Sequence, residues 1–313
     1  MMWKKNWRDS MERIKKVFSK GLTAHQIKIL AVIFMTIDHL GAYGFEIPVF
    51  STYNYQLRLI GRLAMPLFLF CLTDSIRYTR SRPRFLLRLY LTAVGVSLFT
   101  SVTNYFFGDT IGRFILANII YTYLYVAIYT ILIENILKAV RNRQWKRGFL
   151  SIGGIVATAI PHFLFQALAS IPFQENGLTF EQKMLIRDLI ESFIKSPWGV
   201  DYTLLFVLMG VLMYFAKNKY GKAVVLVAFV LLCYFAERAM WTGSLFWEWI
   251  LLNTPLHTVL GSLQSKMILA APIMLLYNGQ KGKESKWFFY WYYPLHRYVI
   301  SIVQYLYLLF FAA

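Results

Sequence analysis

Asp38 and His39 stand side by side in Phe34-Met35-Thr36-Ile37-Asp38-His39-Leu40-Gly41, inside an apolar run. A charge at bilayer depth costs about 2.5–3.5 kcal/mol or more, so an ionisable residue there is a functional candidate by default. Adjacent residues on a helix point roughly 100° apart, so the carboxylate and the imidazole face different partners around one cavity. Farther on, Arg58-Leu59-Ile60-Gly61-Arg62 sets two guanidiniums four residues apart, on one helix face. Asp38 is the expected partner of one; the other is free to hold a phosphate or a developing oxyanion. A second histidine, His296, ends Tyr292-Tyr293-Pro294-Leu295-His296 beside a proline that interrupts helix bonding, and His162 follows Pro161 in another apolar run. Asp201, with Tyr202, opens a further run as a helix N-terminal acid. Histidine with carboxylate and arginine in an apolar setting suits general-base activation of a hydroxyl or amine. It suits a proton relay in a transporter or flippase equally well.

The elements that position these residues follow from composition. Of 313 residues, 58% are hydrophobic and only 15% charged, and the mean hydropathy is +0.49. A water-facing surface does not tolerate that balance, and a disordered chain would be charge-rich. The expected class is an all-α, polytopic transmembrane helix bundle. With about 20 apolar residues per crossing, nine spans are expected near 27–46, 57–76, 86–107, 113–137, 148–171, 200–216, 222–241, 258–277 and 287–311. A tenth or re-entrant segment is expected near 244–253. The chain lacks a long linker or a repeat, so 27–313 reads as one domain behind a basic amphipathic leader, 1–26, on the inner leaflet.

The net charge of +18 points to nucleic acid in a soluble protein, but in a polytopic one it reports loops. With the leader inside, alternate loops hold 24 of the 33 Lys and Arg, and the opposite loops hold about five. The N-terminus is therefore expected in the cytoplasm and the C-terminus outside the cell membrane. Residues 172–198 read as an amphipathic helix on the outer surface, either a lid or a strut. Cys71 and Cys233 lie in apolar runs and read as packing residues; no metal and no nucleic-acid partner is expected. No Walker loop, GxGxxG, HExxH or paired CxxC occurs.

Several stretches together carry a family likeness. They are Leu22-Thr23-Ala24-His25-Gln26-Ile27-Lys28 leading to Met35-Thr36-Ile37-Asp38-His39, then Arg58-Leu59-Ile60-Gly61-Arg62-Leu63-Ala64-Met65-Pro66-Leu67-Phe68, and Tyr78-Thr79-Arg80 with Arg88-Leu89. Asn118 with Thr122, Asp201-Tyr202, Leu276-Tyr277-Asn278-Gly279-Gln280-Lys281-Gly282 and Phe289-Tyr290-Trp291-Tyr292-Tyr293-Pro294-Leu295-His296 follow in order. In these the chain resembles the TraX family of polytopic acetyltransferases over nearly its whole length. The resemblance implies a membrane acyltransferase that takes an acyl group from cytoplasmic acyl-CoA to an acceptor at or beyond the membrane, with the first-span histidine, here His39, catalytic.

On that footing acetyl-CoA, or another acyl-CoA, is the expected co-substrate, its phosphates near Arg77, Arg80, Arg82, Arg84 and Arg88. His39 is expected to deprotonate the acceptor, Asp38 to tune it and Arg62 to stabilise the charge that develops. Arg58, Tyr293, His296, Asp201 and His162 are expected to line the substrate cavity. The acceptor is expected to be a surface polypeptide, pilin-like, or a glycan. A transporter or flippase is the rival expectation, and an assembly factor that escorts a surface polymer is a third.

Overall fold

A computed structural model describes residues 20–111, 118–174, 177–200, 203–242, 264–283 and 286–311. Every regular element among them is helical. Five helices are long and apolar enough to cross a membrane: Ala24–Tyr43, Asn54–Tyr78, Arg82–Asp109, Ile119–Arg141 and Trp145–Gln174. They coincide with the first five expected spans, and they make the chain a multi-pass membrane protein. Of the later ones, helices fill 222–241 and 287–311, but the 200–216 span contains a helix of only 13 residues. At about 1.5 Å per residue that helix is roughly 20 Å long, short of a 30 Å hydrocarbon core. The ninefold count therefore stays an expectation. Residues 244–253, the leader up to residue 19 and Asp201 lie outside the described residues.

The chain divides into two compact units, Met1–Cys71 with Ala216–Ile300 and Leu72–Phe215 with Ser301–Ala313. Two of the boundaries fall inside helices, where the sequence carries no linker to announce them.

In the first unit, α1 (Ala24–Tyr43) starts at a capping box. Gln26 N–H donates to Thr23 Oγ1, and Thr23 N–H to Gln26 Oε1. Two further amides that a helix start leaves orphaned, those of Ala24 and His25, donate to the carbonyls of Gln280 and Lys281 at 2.8 and 3.0 Å. Leu22 pairs with Tyr277 in a parallel bridge beside them, and Lys219 Nζ donates to the Tyr277 carbonyl. Residues 20–25 and 276–282 thus form a clasp at the start of α1. Gly282, at φ +75°, has Thr23 Oγ1 where a Cβ would stand, at 2.6 Å. His25 belongs to this clasp, its ring edge-on to Phe289.

Along α1 the buried residues Ile27, Ala31, Met35 and Asp38 recur at three- and four-residue intervals, one face of a helix, while Ile33 points away. That stripe turns Asp38 into the protein. After the short α2 (Pro48–Thr52) comes α3 (Asn54–Gly61), and then α4 (Ala64–Tyr78). The break between α3 and α4 falls at Arg62 and Leu63 because Pro66 has no N–H for the Arg62 carbonyl four residues back and its ring crowds that carbonyl. α1 and α3 approach through glycines. A Cβ on Gly61 would lie 2.6 Å from Asp38 Cα, and one on Gly41 would lie 3.2 Å from the Asn54 carbonyl oxygen. Asn54 Nδ2 donates to the Gly41 carbonyl at 2.5 Å across the same seam.

The second unit holds α5 (Arg82–Ile111), α6 (Ile119–Arg141), α7 (Trp145–Ala157), α8 (Ile160–Ala169), α9 (Ile171–Gln174), α10 (Phe180–Phe193) and α11 (Thr203–Phe215). Asn118 caps α6 through Ile120 N–H and reaches α5 at the Ala93 carbonyl and Ser97 Oγ. The amphipathic helix expected within 172–198 is α10. Its C-terminal end is tied down by hydroxyls: Tyr90 of α5 donates to the Phe193 carbonyl, Tyr121 of α6 to Ser192 and Tyr125 of α6 to Lys195. The first two bonds satisfy carbonyls that a helix end leaves unpaired, and the third holds the chain just past it. The remaining helices, α12 (Lys219–Thr242) and α13 (Ala270–Leu275), belong to the first unit, as does most of α14 (Lys286–Phe311).

Candidate active site

Asp38 and His39 leave α1 in different directions, as one residue of helical rotation requires, and each finds its own partners in the first unit. Asp38 meets the arginines. Its Oδ2 accepts from Arg58 at 3.0 Å, and its Oδ1 stands 3.7 Å from Arg62, an ion pair too long for a hydrogen bond. Both guanidiniums therefore share one carboxylate, where the sequence suggested a partner for only one. Gly61 is what brings them there, since α3 carries Arg58, Arg62 directly follows its last residue, and that last residue, Gly61, touches α1 at Asp38 itself. Arg62 is 7% exposed, and neither its Nε nor Asp38 Oδ1 has a hydrogen-bond partner among the described residues. A buried guanidinium held by one long contact has donors to spare for an anion.

His39 meets α14. Its Nδ1 lies 2.5 Å from His296 Nε2, with the two rings nearly coplanar in orientation, 10° apart. His296 is 5% exposed; its Nδ1 is 2.9 Å from the Tyr292 carbonyl oxygen. One turn back on both helices, Thr36 Oγ1 and the Tyr292 hydroxyl are 2.6 Å apart, so two rungs fix the register of α1 against α14. The Tyr43 ring stands edge-on to His39, and the Tyr293 ring is tilted beside His296 at 6.2 Å.

Arg297, 4% exposed and hydrogen-bonded to the Tyr43 side chain, is a member of this cluster that the sequence reading passed over. The signal was present. Once loop residues are set aside, Arg58, Arg62, Lys266 and Arg297 are the basic residues left inside apolar runs. Arg297 thus joins Arg58 and Arg62 as a third guanidinium in the surroundings of His39.

His162 belongs to the second unit. There its Nδ1 is 3.4 Å from Ser196 Oγ and its ring is edge-on to Trp198. The basic stretch 77–88 is in that unit too. Arg82 pairs with Glu134 at 2.6 Å, and Glu134 also accepts from Tyr214 and Lys138. Arg77 donates to the Tyr214 carbonyl and lies over its ring. Arg80, Arg84 and Arg88 are exposed. Among the described residues no three of His, Cys, Asp and Glu gather as a metal site would require.

The first unit therefore offers a base candidate held by a second imidazole, and in the same unit a guanidinium, Arg62, with unused donors. A family model described as TraX protein matches residues 23–304 of the chain, a span that includes all of these groups. A relative from Dichelobacter nodosus, described as "Probable fimbrial assembly protein FimC, serogroup H1", is 25% identical over 279 residues, covering 88% of this chain and 92% of its own. No solved structure matches.

Proposed function

This chain belongs to the TraX protein family, and on that premise we propose that it is a membrane acyltransferase moving an acetyl group from acetyl-CoA to an amine or hydroxyl at the outer side of the membrane. The observation that carries the reading is His39: a histidine inside a helix long and apolar enough to cross a membrane, backed by His296, in the same unit as the under-bonded Arg62. In the reaction, His39 takes the proton from the acceptor as its nitrogen or oxygen attacks the thioester carbonyl. The tetrahedral oxyanion develops near Arg62, whose free donors suit it. Collapse expels the CoA thiolate, which recovers the proton from His39, so that the products are acetylated acceptor and CoA thiol.

Asp38 acts on the arginines in this scheme, holding Arg58 directly and leaving Arg62 partly unpaired. The donor phosphates are taken by the arginines of 77–88, of which Arg80, Arg84 and Arg88 are exposed. The loop charges put the N-terminus in the cytoplasm and the C-terminus outside. A pilin-like polypeptide is the acceptor we favour, because the Dichelobacter relative is described as a fimbrial assembly protein; a surface glycan hydroxyl is the other chemistry the site would serve. The test is mass spectrometry of pilin and surface glycan from cells with and without the gene. An acetyl increment restored by the wild type and not by His39→Ala supports the reading. Unchanged material in both pools, with the protein present in the membrane, overturns it.

A further inference from the structure

We propose that His296 is a positioning residue that fixes the tautomer of His39, so that the basic atom of His39 is Nε2. The Tyr292 carbonyl can only accept a hydrogen bond. His296 Nδ1, 2.9 Å away, must therefore be the donor and carry its ring's proton. In a neutral imidazole the other nitrogen then has the lone pair, and that nitrogen, His296 Nε2, is the atom 2.5 Å from His39 Nδ1. His39 must in turn donate from Nδ1, which leaves its Nε2 unprotonated. Nε2 bonds to none of the described residues. Free histidine in water favours the opposite form, with the proton on Nε2, so the tautomer here is imposed by α14.

The geometry around the pair keeps this direction from reversing. Thr36 Oγ1 donates to the Val32 carbonyl of its own helix at 2.9 Å, so its contact with Tyr292 is made by the tyrosine hydroxyl donating to Thr36. Tyr292 is thus held to α1 through its side chain while its carbonyl anchors His296 on α14. Its ring lies parallel to that of His296, 3° apart at 5.4 Å. Neither a flip of His296 nor a slide of α14 is possible without breaking a second bond, the condition under which an orienting residue holds a base in one tautomer.

The tautomer assignment stands on geometry alone; its effect on rate rests on the acyl-transfer reading, and the experiment separates the two. The full-length protein, labelled with nitrogen-15 histidine and held in detergent, gives imidazole resonances that distinguish protonated from unprotonated ring nitrogens. His39→Gln identifies those of residue 39. The expected wild-type result is a protonated Nδ1 and an unprotonated Nε2. His296→Phe, which keeps the ring and removes the acceptor, is expected to return His39 to the Nε2–H form. In the acetylation assay the same variant is expected to lower kcat on the order of a hundred- to ten-thousand-fold, between the loss typical of an orienting partner and that of a wrong tautomer in a hydrolytic triad, with KM little changed. His296→Gln, whose amide oxygen can accept from His39 Nδ1, is expected to recover part of the loss. A wild-type His39 protonated on Nε2, alone or with Nδ1, overturns the proposal without any variant having to fold. A switch of tautomer in a protein that acetylates nothing supports the proposal and overturns the acyl-transfer reading.

Discussion

Gly61→Ala tests whether the candidate site is built by the close approach of α1 and α3. A Cβ there would stand 2.1 Å from Asp38 Cβ, which the backbone fixes, and 2.6 Å from Asp38 Cα, where ordinary contact begins at 3.4 Å, so the two helices must part by about 1.3 Å. The obstacle is backbone, which cannot rotate away as a side-chain tip would. Overpacking of this kind costs about 1–3 kcal/mol, seen as a lower midpoint in a chemical or thermal unfolding curve of the purified protein in detergent. The separation would also carry Arg58 away from Asp38, lengthening their 3.0 Å bond, and a misplacement near 1 Å at a reacting centre can cost on the order of a hundredfold in rate. Gly61→Ser should behave like alanine or worse. If Gly61→Ala leaves both the unfolding midpoint and the acetylation rate as in the wild type, the seam does not hold the site together and the reasoning fails.

Asp38→Asn removes the carboxylate that both arginines share and leaves buried cations unpaired; a loss of about 3–5 kcal/mol is expected from unfolding curves, and a stability equal to the wild type would count against the ion pairs. Tyr125→Phe should cost about 1–3 kcal/mol, since the Lys195 carbonyl loses the hydroxyl that donates to it at 2.6 Å, and protease should cut faster within 177–200. Gly282→Ala meets a positive φ and Thr23 Oγ1 at 2.6 Å, so faster hydrogen exchange is expected in the first turn of α1; unchanged exchange would deny the clasp. For orientation, cysteines at Arg143 and Gly177 in a Cys71→Ser, Cys233→Ser background should be labelled from opposite sides by an impermeant maleimide, residue 143 only after the cells are opened.

The helices with long apolar runs were legible in the sequence, and so was the presence of charged and polar groups such as Asp38, Arg62 and His296 within them, because a charge in hydrocarbon has few innocent explanations. The pairing of those residues was less so. Asp38 with Arg58 and Arg62 could be anticipated, since spans joined by a short loop are neighbours. His39 with His296 joins residues 257 positions apart, and nothing local encodes such a partner. Arg297 was overlooked beside His296 although the same rule singles it out. The break at Arg62 was written in Pro66 four residues on. The clasp of 20–25 with 276–282 was not legible, because two short extended segments carry no periodicity, and neither were the tyrosine caps on α10, because a hydroxyl on a helix face gives no hint of which carbonyl it will meet.

The seam between α1 and α3 also bears on how the protein is made. Asp38 meets Arg58 only 20 positions later, so the first charged span can leave the translocon as a hairpin already neutralised, sparing a lone aspartate the cost of entering lipid. His39 has to wait for α14. At about 5–20 residues per second, the interval between the two histidines is on the order of 10 to 50 seconds. Through that time the nascent protein carries its charge pair intact and its candidate base without His296, so the candidate site comes together only once α14 has been made.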